Sequence, residues 1–318
     1  MRRRGLLAGA LLGATGGAAA QEGWPARPVR LVIPFAPGGS NDVIARALGD
    51  RLQARLGQPF VAENRAGAGG AIGAQHVAGA PADGYVLLIA SMSIVTTAAT
   101  QRTGFDPAAG FDAVARLAVA PLAVVVAPML PARSIPELVA LAKSRAQPLR
   151  YGSAGPGAIN HLAGALFEQV AGIGMEHVPY RGIGPAAIDL IAGRIDLLIT
   201  SPPAVGGPLR SGQIRLLATT GATRAAGFPD APTVREAGYD YEIGFWWGIL
   251  GPRGLPPQVR RVLEGAIGES LADPAFARFF EGEGATAAFL GGEESGRIVA
   301  ADLTRWRGVA AASGIRIE

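Results

Sequence analysis

PFAPGGSND, Pro34–Asp42, joins an apolar run that begins at Val29 to a stretch with apolar side chains at Ile44, Ala47, Leu48, Leu52 and Leu56. A run from Val29 to Phe35 with almost no polar residue predicts a central strand covered on both faces. The spacing after the turn is that of one helix face. The turn is therefore read as the joint between a parallel strand and its crossover helix, the place where open α/β sheets bind ligands.

The same alternation continues outward. PFVAE and YVLLIA read as further strands of a first βα region, and LAVVVAP at 122–128 as the strand that opens a second. After it, SIPE predicts a helix over 134–144, with Ser134 as N-cap and Glu137 reaching back to complete a capping box. LRYGSA, MEHVPY and IDLLIT read as strands separated by helices, the second of which opens at Pro185. Beyond FWWGILGP, 245–252, the chain becomes helical and has no complete parallel sheet of its own. The economical arrangement returns these helices to the first unit. The reading is an α/β chain with two mixed, mostly parallel sheets: residues 21–122 plus 248–318 form lobe 1 and 123–247 form lobe 2. Two strands, near 122–127 and 245–250, cross between the lobes and make a hinge beside a cleft. No internal repeat is visible.

Residues 1–20, MRRRGLLAGALLGATGGAAA, have a basic start, a short apolar middle and an A-x-A end, which predicts an export signal cleaved near Ala20. Arg2 and Arg3 leave both the general and the twin-arginine routes open. Removing the three arginines of this segment lowers the formal net charge from +4 to +1, so the mature chain gives no footing for nucleic-acid binding. The absence of cysteine excludes disulfides, thiolate catalysis and cysteine metal sites, and suits an oxidising compartment.

Four glycine-bearing segments stand at strand ends: PGGSND (37–42), NRAGAGGAIG (64–73), GSAGPGAIN (152–160) and RGIGPAA (181–187). Glycines allow close approach of backbone N–H groups, and a following helix adds unpaired donors and a positive dipole end, so an anion can be held without a cationic side chain. Tight corners need the same residues. Two of the four carry more than corners need. Ser40 and Asn41 flank one, Ser153 and Asn160 the other, and they lie in separate halves of the chain. Gly67, Gly69 and Gly73 have a spacing seen in variant dinucleotide turns, yet the next strand, YVLLIAS, ends without the acidic residue a ribose would need. Catalytic and metal constellations are poor. The histidines lack paired spacing: His76 reads as a surface helix residue and His177 as a strand residue. His161, just inside a helix, is open to either a ligand contact or a structural hydrogen bond.

Six motifs in order carry a resemblance: WPARPVRLVIPFAPGGSND, LGQPFVAENRAGAGGAIGA, APADGYVLLIA, YGSAGPGAINHLAGALFEQVAGIGMEHVPYRGIGPA, DAPTVREAGY and GPRGLPPQV. From about Trp24 to the C-terminus the chain resembles the substrate-binding proteins of tripartite tricarboxylate transporters, the Bug family. The resemblance implies a two-lobed periplasmic binding protein, type II-like. It would be a monomer without cofactor or catalytic residues, binding a small carboxylate and handing it to a two-component membrane permease. The facing loops of the family correspond to Pro37–Asp42, including Gly38 and Gly39, and to Ser153–His161, including Ala154, Gly155 and Gly157; Phe35 borders the first.

Where many members carry amide or acidic groups, this chain has Ser91, Met92 and Ser93 after the third strand, and Thr200, Ser201, Pro202 and Pro203 after IDLLIT. These departures predict a ligand with one anchored carboxylate and a weakly polar remainder. A sensory module for a membrane receptor, or an exported dinucleotide-dependent enzyme built on the 67–73 turn, are the alternatives.

Overall fold

In the computed structural model, which describes residues 23–313, the expected signal segment lies outside the described residues. Strands β1 (Val29–Ile33), β2 (Phe60–Asn64), β3 (Val86–Ser91) and β4 (Phe111–Pro121) belong to lobe 1, with helices α1 (Ser40–Leu56), α2 (Ala71–Ala78) and α3 (Met92–Thr100) between them. The chain then crosses to lobe 2. There β5 (Ala123–Val126), β6 (Leu149–Ser153), β7 (Met175–Pro179), β8 (Leu197–Thr200) and β9 (Arg215–Thr219) alternate with α4 (Ile135–Ser144), α5 (Ile159–Ala171), α6 (Ile183–Ile191) and the short α7 (Gly206–Arg210). It returns as β10 (Gly244–Pro252), followed by α8 (Pro257–Ala272), α9 (Pro274–Gly282), β11 (Thr286–Gly291) and α10 (Gly292–Ser313).

Lobe 1 is a six-stranded sheet in the order β11-β4-β10-β3-β1-β2, and lobe 2 a five-stranded sheet in the order β7-β6-β8-β5-β9. From its outer parallel strand inward, β2-β1-β3-β10-β4 has the same connectivity as β7-β6-β8-β5-β9, a repeat of topology that leaves no repeat in the sequence. In each sheet the fourth strand is the first one after a crossing. It enters from the other lobe and runs against its neighbours. Among the strands described, parallel pairing is therefore confined to β1 with β2 and β3, and to β6 with β7 and β8. The pairings made by β10, β4, β11, β5 and β9 outside those sets are antiparallel, so the sheets are mixed and less parallel than the βα rhythm suggested.

The crossings are tighter than expected. β10 pairs with β4 from Gly244 onward, so residues 244–247 lie in the lobe 1 sheet, ahead of the return expected at 248. Thr220, fully buried, clasps both crossing segments. Leu122 N–H donates to its Oγ1 at 2.8 Å and that hydroxyl donates to Ile243 O at 2.7 Å. Its own N–H and C=O bond Leu122 O and Ile243 N–H at 2.8 and 2.9 Å. A buried hydroxyl with both capacities filled fixes two strands at one point.

Local reasons hold where the patterns were strong. Val29, Leu31, Val32 and Ile33 are all buried, worth roughly 1.5–3 kcal/mol for each large side chain. α4 is capped by Ser134, whose Oγ accepts from Glu137 N–H at 3.3 Å, but the Glu137 carboxylate reaches one residue further than a capping box, to Arg133 N–H at 2.9 Å. α6 starts at Ile183, before Pro185.

Candidate functional site

A cavity of about 20 Å³ lies between the lobes, lined by Phe35, Gly39, Ser40, Asn41, Ser93 and Phe245 from lobe 1 and by Ala154, Asn160, Ile183 and Ser201 from lobe 2. None of these side chains is charged. The polarity comes from backbone instead: α1, α3, α5 and α6 all begin at or beside the cavity. The first N–H groups of a helix have no intrahelical acceptor and carry the positive end of its dipole. Four such ends meeting around neutral amides and hydroxyls make an electropositive pocket without a lysine or arginine.

The two cradles are built alike. Asn41, second residue of α1, donates from Nδ2 to Ile89 O near the end of β3, and Asn160, second residue of α5, donates to Ile199 O near the end of β8, both at 2.8 Å. Each amide therefore ties a helix start to the neighbouring strand. Gly38, at φ +85°, lets the first turn fold back so that its N–H reaches Asp42 Oδ2 at 3.1 Å, a conformation that L side chains rarely adopt.

What supports the cradles differs. Asp42 points away from the cavity, pairing with Arg46 and accepting from Asn64 Nδ2 at 3.1 Å. Burial alone would raise its pKa; the hydrogen bonds from Arg46, Gly38 and Asn64 outweigh this and hold it below the ordinary value. In lobe 2 Ser153 Oγ and His177 Nε2 share a 2.6 Å hydrogen bond. His177 stacks on His161 at 3.9 Å between ring centroids and on Tyr151 at 5.1 Å. Burial, then the neighbouring His161, pushes the His177 pKa down to about 4. A Ser–His pair at this distance has the geometry of an activated nucleophile, but Ser153 is fully buried and its oxygen also accepts Gly155 N–H at 3.1 Å. It is a structural pair.

The lobes touch directly. Ser201 Oγ donates to Ser40 Oγ at 2.9 Å and Trp247 Nε1 to the same oxygen at 3.1 Å. Ala36 N–H donates to Arg181 O at 2.9 Å, and Gln101 Nε2 to Pro156 O at 3.2 Å. About 20 Å³ admits water and nothing larger, so a larger molecule enters only after the lobes part.

Of the residues expected at the site, Phe35, Gly39, Ser40, Asn41, Ser93, Ala154 and Ser201 line the cavity. Pro37 and Gly38 meet Gly184 in the inter-lobe seam, and Gly155 and Gly157 face Gly69 and Thr97 in another. Asp42, Ser153 and His161 stand behind the cradles; His161 accepts from Gly157 N–H at 3.3 Å, the structural alternative. Ser91 and Thr200 are buried with hydroxyl oxygens that have no partner. Sequence reading missed Ile183 and Phe245. The first lay inside the flagged turn 181–187; the second was read as part of a crossing strand, with nothing to show which way it faced. His76 is half-buried near the end of α2, with its Nε2 turned inward and unpartnered. Among the described residues no group of three or more His, Cys, Asp or Glu could hold a metal ion.

Two α/β lobes with a shared topology, joined by two crossings and shut on a neutral, dipole-lined cavity, define the periplasmic binding protein fold and the solute-binding class. The family profile described as "Tripartite tricarboxylate transporter family receptor" matches residues 44–315. Protein BugT of Bordetella pertussis (strain Tohama I) is 35% identical over 299 residues, 93% of this chain and 92% of that protein. Among solved structures, R. palustris Rpa4515 with adipate superposes at a TM-score of 0.89 with 36% identity, over 92% of this chain and 99% of that one. MatC (Rpa3494) from Rhodopseudomonas palustris with bound malate gives 0.85 with 28% identity, over 90% and 99%. The chain belongs to the tripartite tricarboxylate transporter receptor family, the Bug proteins, and is a substrate-binding receptor rather than an enzyme. The enzymatic alternative is thereby set aside. The turn on which it rested packs at Gly69 against Pro156 across the cleft.

Proposed function

We propose that this protein captures a small carboxylic acid between its lobes in the periplasm, as a monomer, and delivers it to a two-component membrane permease. The observation that carries the reading is the convergence of four helix starts on a cavity without charged side chains. Backbone N–H groups and the amides of Asn41 and Asn160 recognise one carboxylate, and a ligand that bridges both cradles favours the closed arrangement through contacts that the open one lacks. The adipate and malate held by the two solved relatives support the ligand class. Phe35, Ala154, Ile183 and Phe245 give the lining an apolar part beside the neutral hydroxyls of Ser40, Ser93 and Ser201, with no carboxylate to pair a cation, so the remainder of the ligand is weakly polar and carries no ammonium group.

Thermal shift of the mature protein tests this against aliphatic and aromatic mono- and dicarboxylic acids, aspartate, glutamate, the corresponding amides and NAD(P). An acid at ~100 times its Kd adds about 2.7 kcal/mol of stability. The expected result is a raised melting temperature with aliphatic or aromatic acids and none with their amides. A shift with nucleotides alone would overturn the proposal, and aspartate or glutamate outranking the other acids would overturn its account of the remainder.

A further inference from the structure

At two seams the lobes meet backbone against backbone, and glycines make this possible. Gly184 lies in the first turn of α6. The three atoms nearest a Cβ built on it all belong to Pro37 and Gly38 of the other lobe, and the Pro37 carbonyl oxygen lies well inside the space that Cβ would fill. A second seam repeats the pattern. A Cβ on Gly69 would overlap the Pro156 carbonyl oxygen, one on Gly155 would come to 3.0 Å from Gly69 N, and one on Gly157 to 3.1 Å from Thr97 Cα. Neither Gly184 nor Gly69 lines the cavity.

The two seams differ in why glycine is there. Gly69 has φ +61° and sits among Gly67, Ala68 and Gly70, all at positive φ, so its local backbone already favours glycine. Gly184 is not among the positive-φ residues and occupies a helix, where alanine is favoured over glycine by about 1 kcal/mol. Nothing in its own dihedrals calls for glycine. The demand comes from lobe 1, and only once the lobes have met.

We infer that Gly184 is a positioning residue for ligand capture: its missing side chain lets the start of α6 settle on the Pro37–Gly39 turn and so sets the closed geometry in which both cradles bear on one ligand. For its ligand this rests on the carboxylate reading; for closure it does not. An alanine here leaves each lobe intact and props the cleft open.

The absence of native cysteine gives a direct reporter. Ser40→Cys with Ser201→Cys places two thiols where hydroxyls now lie 2.9 Å apart across the cleft, and with oxidised glutathione added as the two-electron oxidant their disulfide forms only when the lobes shut. In that background Gly184→Ala is expected to slow cross-linking at least tenfold, with and without adipate as the probe. With both serines retained, it lowers adipate affinity at least tenfold by calorimetry while the unliganded melting temperature stays equal or rises. Gly265→Ala on α8, where a Cβ meets nothing within 4 Å, is the control and changes neither rate nor affinity. Cross-linking and affinity both within twofold of the parent would overturn the assignment. If the wild-type protein binds none of the acids, the carboxylate reading fails, and the cross-linking rates alone decide the role of Gly184.

Discussion

The two cradles reach one geometry by different chemistry. In lobe 1 the turn is held by a carboxylate, Asp42, that collects the Gly38 N–H, the Arg46 guanidinium and the Asn64 amide. In lobe 2 the corresponding turn leans on a neutral stack of Tyr151, His177 and His161, with Ser153 bonded to the middle ring. Yet both end in an asparagine at the second helical position, donating at 2.8 Å to a carbonyl of the adjacent strand. What is shared lines the cavity and what differs stands behind it. Backbone donors and one amide define the function of such a site, and its support needs only to satisfy its own hydrogen bonds.

The strongest test of that equivalence is Asn41→Asp against Asn160→Asp. Either change removes the donor to the strand carbonyl and sets a negative charge beside the cavity. Each helix start tolerates an acidic residue, so folding is expected to survive. Carboxylate affinity is expected to fall at least ~100-fold in both, about 2.7 kcal/mol, by calorimetry. A large loss in one and a small loss in the other would break the symmetry and show which lobe anchors the ligand.

Acidification should separate the supports. His177, at about 4 against an ordinary 6.5, stays neutral in the folded protein while the unfolded chain takes up a proton. Its contribution is therefore complete above pH 6.5 and lost between there and about 4. His161, lowered by burial, adds to the same trend. The Asp42 contribution is complete above its ordinary 3.8 and lost only as pH falls through its lower folded value. Lobe 2 thus weakens first. Melting temperatures from pH 7 to 4.5 are expected to fall for the wild type, whereas His177→Gln starts lower and falls less steeply. Equal slopes would remove the histidine from the account.

This asymmetry was only half legible in the sequence. The Pro34–Asp42 joint, the α4 cap and the alternation of β and α announced the fold because glycine, capping residues and buried apolar runs act locally. β4 did not: FDAVARLAVAP is rich in alanine, a weak strand former, and it is a strand because β10 and β11 pair with it. α3 hid for the opposite reason. MSIVTTAAT is rich in β-branched residues, but the helix is buried and its threonines bond back along it, Thr96 Oγ1 to Ser93 O and Thr100 Oγ1 to Thr96 O. At the site, the glycine turns pointed to the cradles. The stacking of His161 on His177 could not be foreseen, since it depends on how the start of α5 and the edge strand β7, consecutive in the chain, lie side by side across the sheet.

The smallest expected effect bears on what holds the lobe 1 turn. Arg46 makes two hydrogen bonds to Asp42, at 2.8 and 3.1 Å, but its side chain is 55% exposed against 9% for Asp42. An exposed guanidinium is readily replaced by water and salt, so Arg46→Ala should cost less than about 1 kcal/mol, and less again at high ionic strength. Asp42→Asn weakens every bond the carboxylate accepts, those to the Gly38 N–H and Asn64 among them, and should cost about 1.5–3 kcal/mol. Urea denaturation of both variants decides the order. Equal losses would mean that the ion pair itself holds the turn, and lobe 1 would then differ from lobe 2 in drawing its support from surface charge instead of from a buried network.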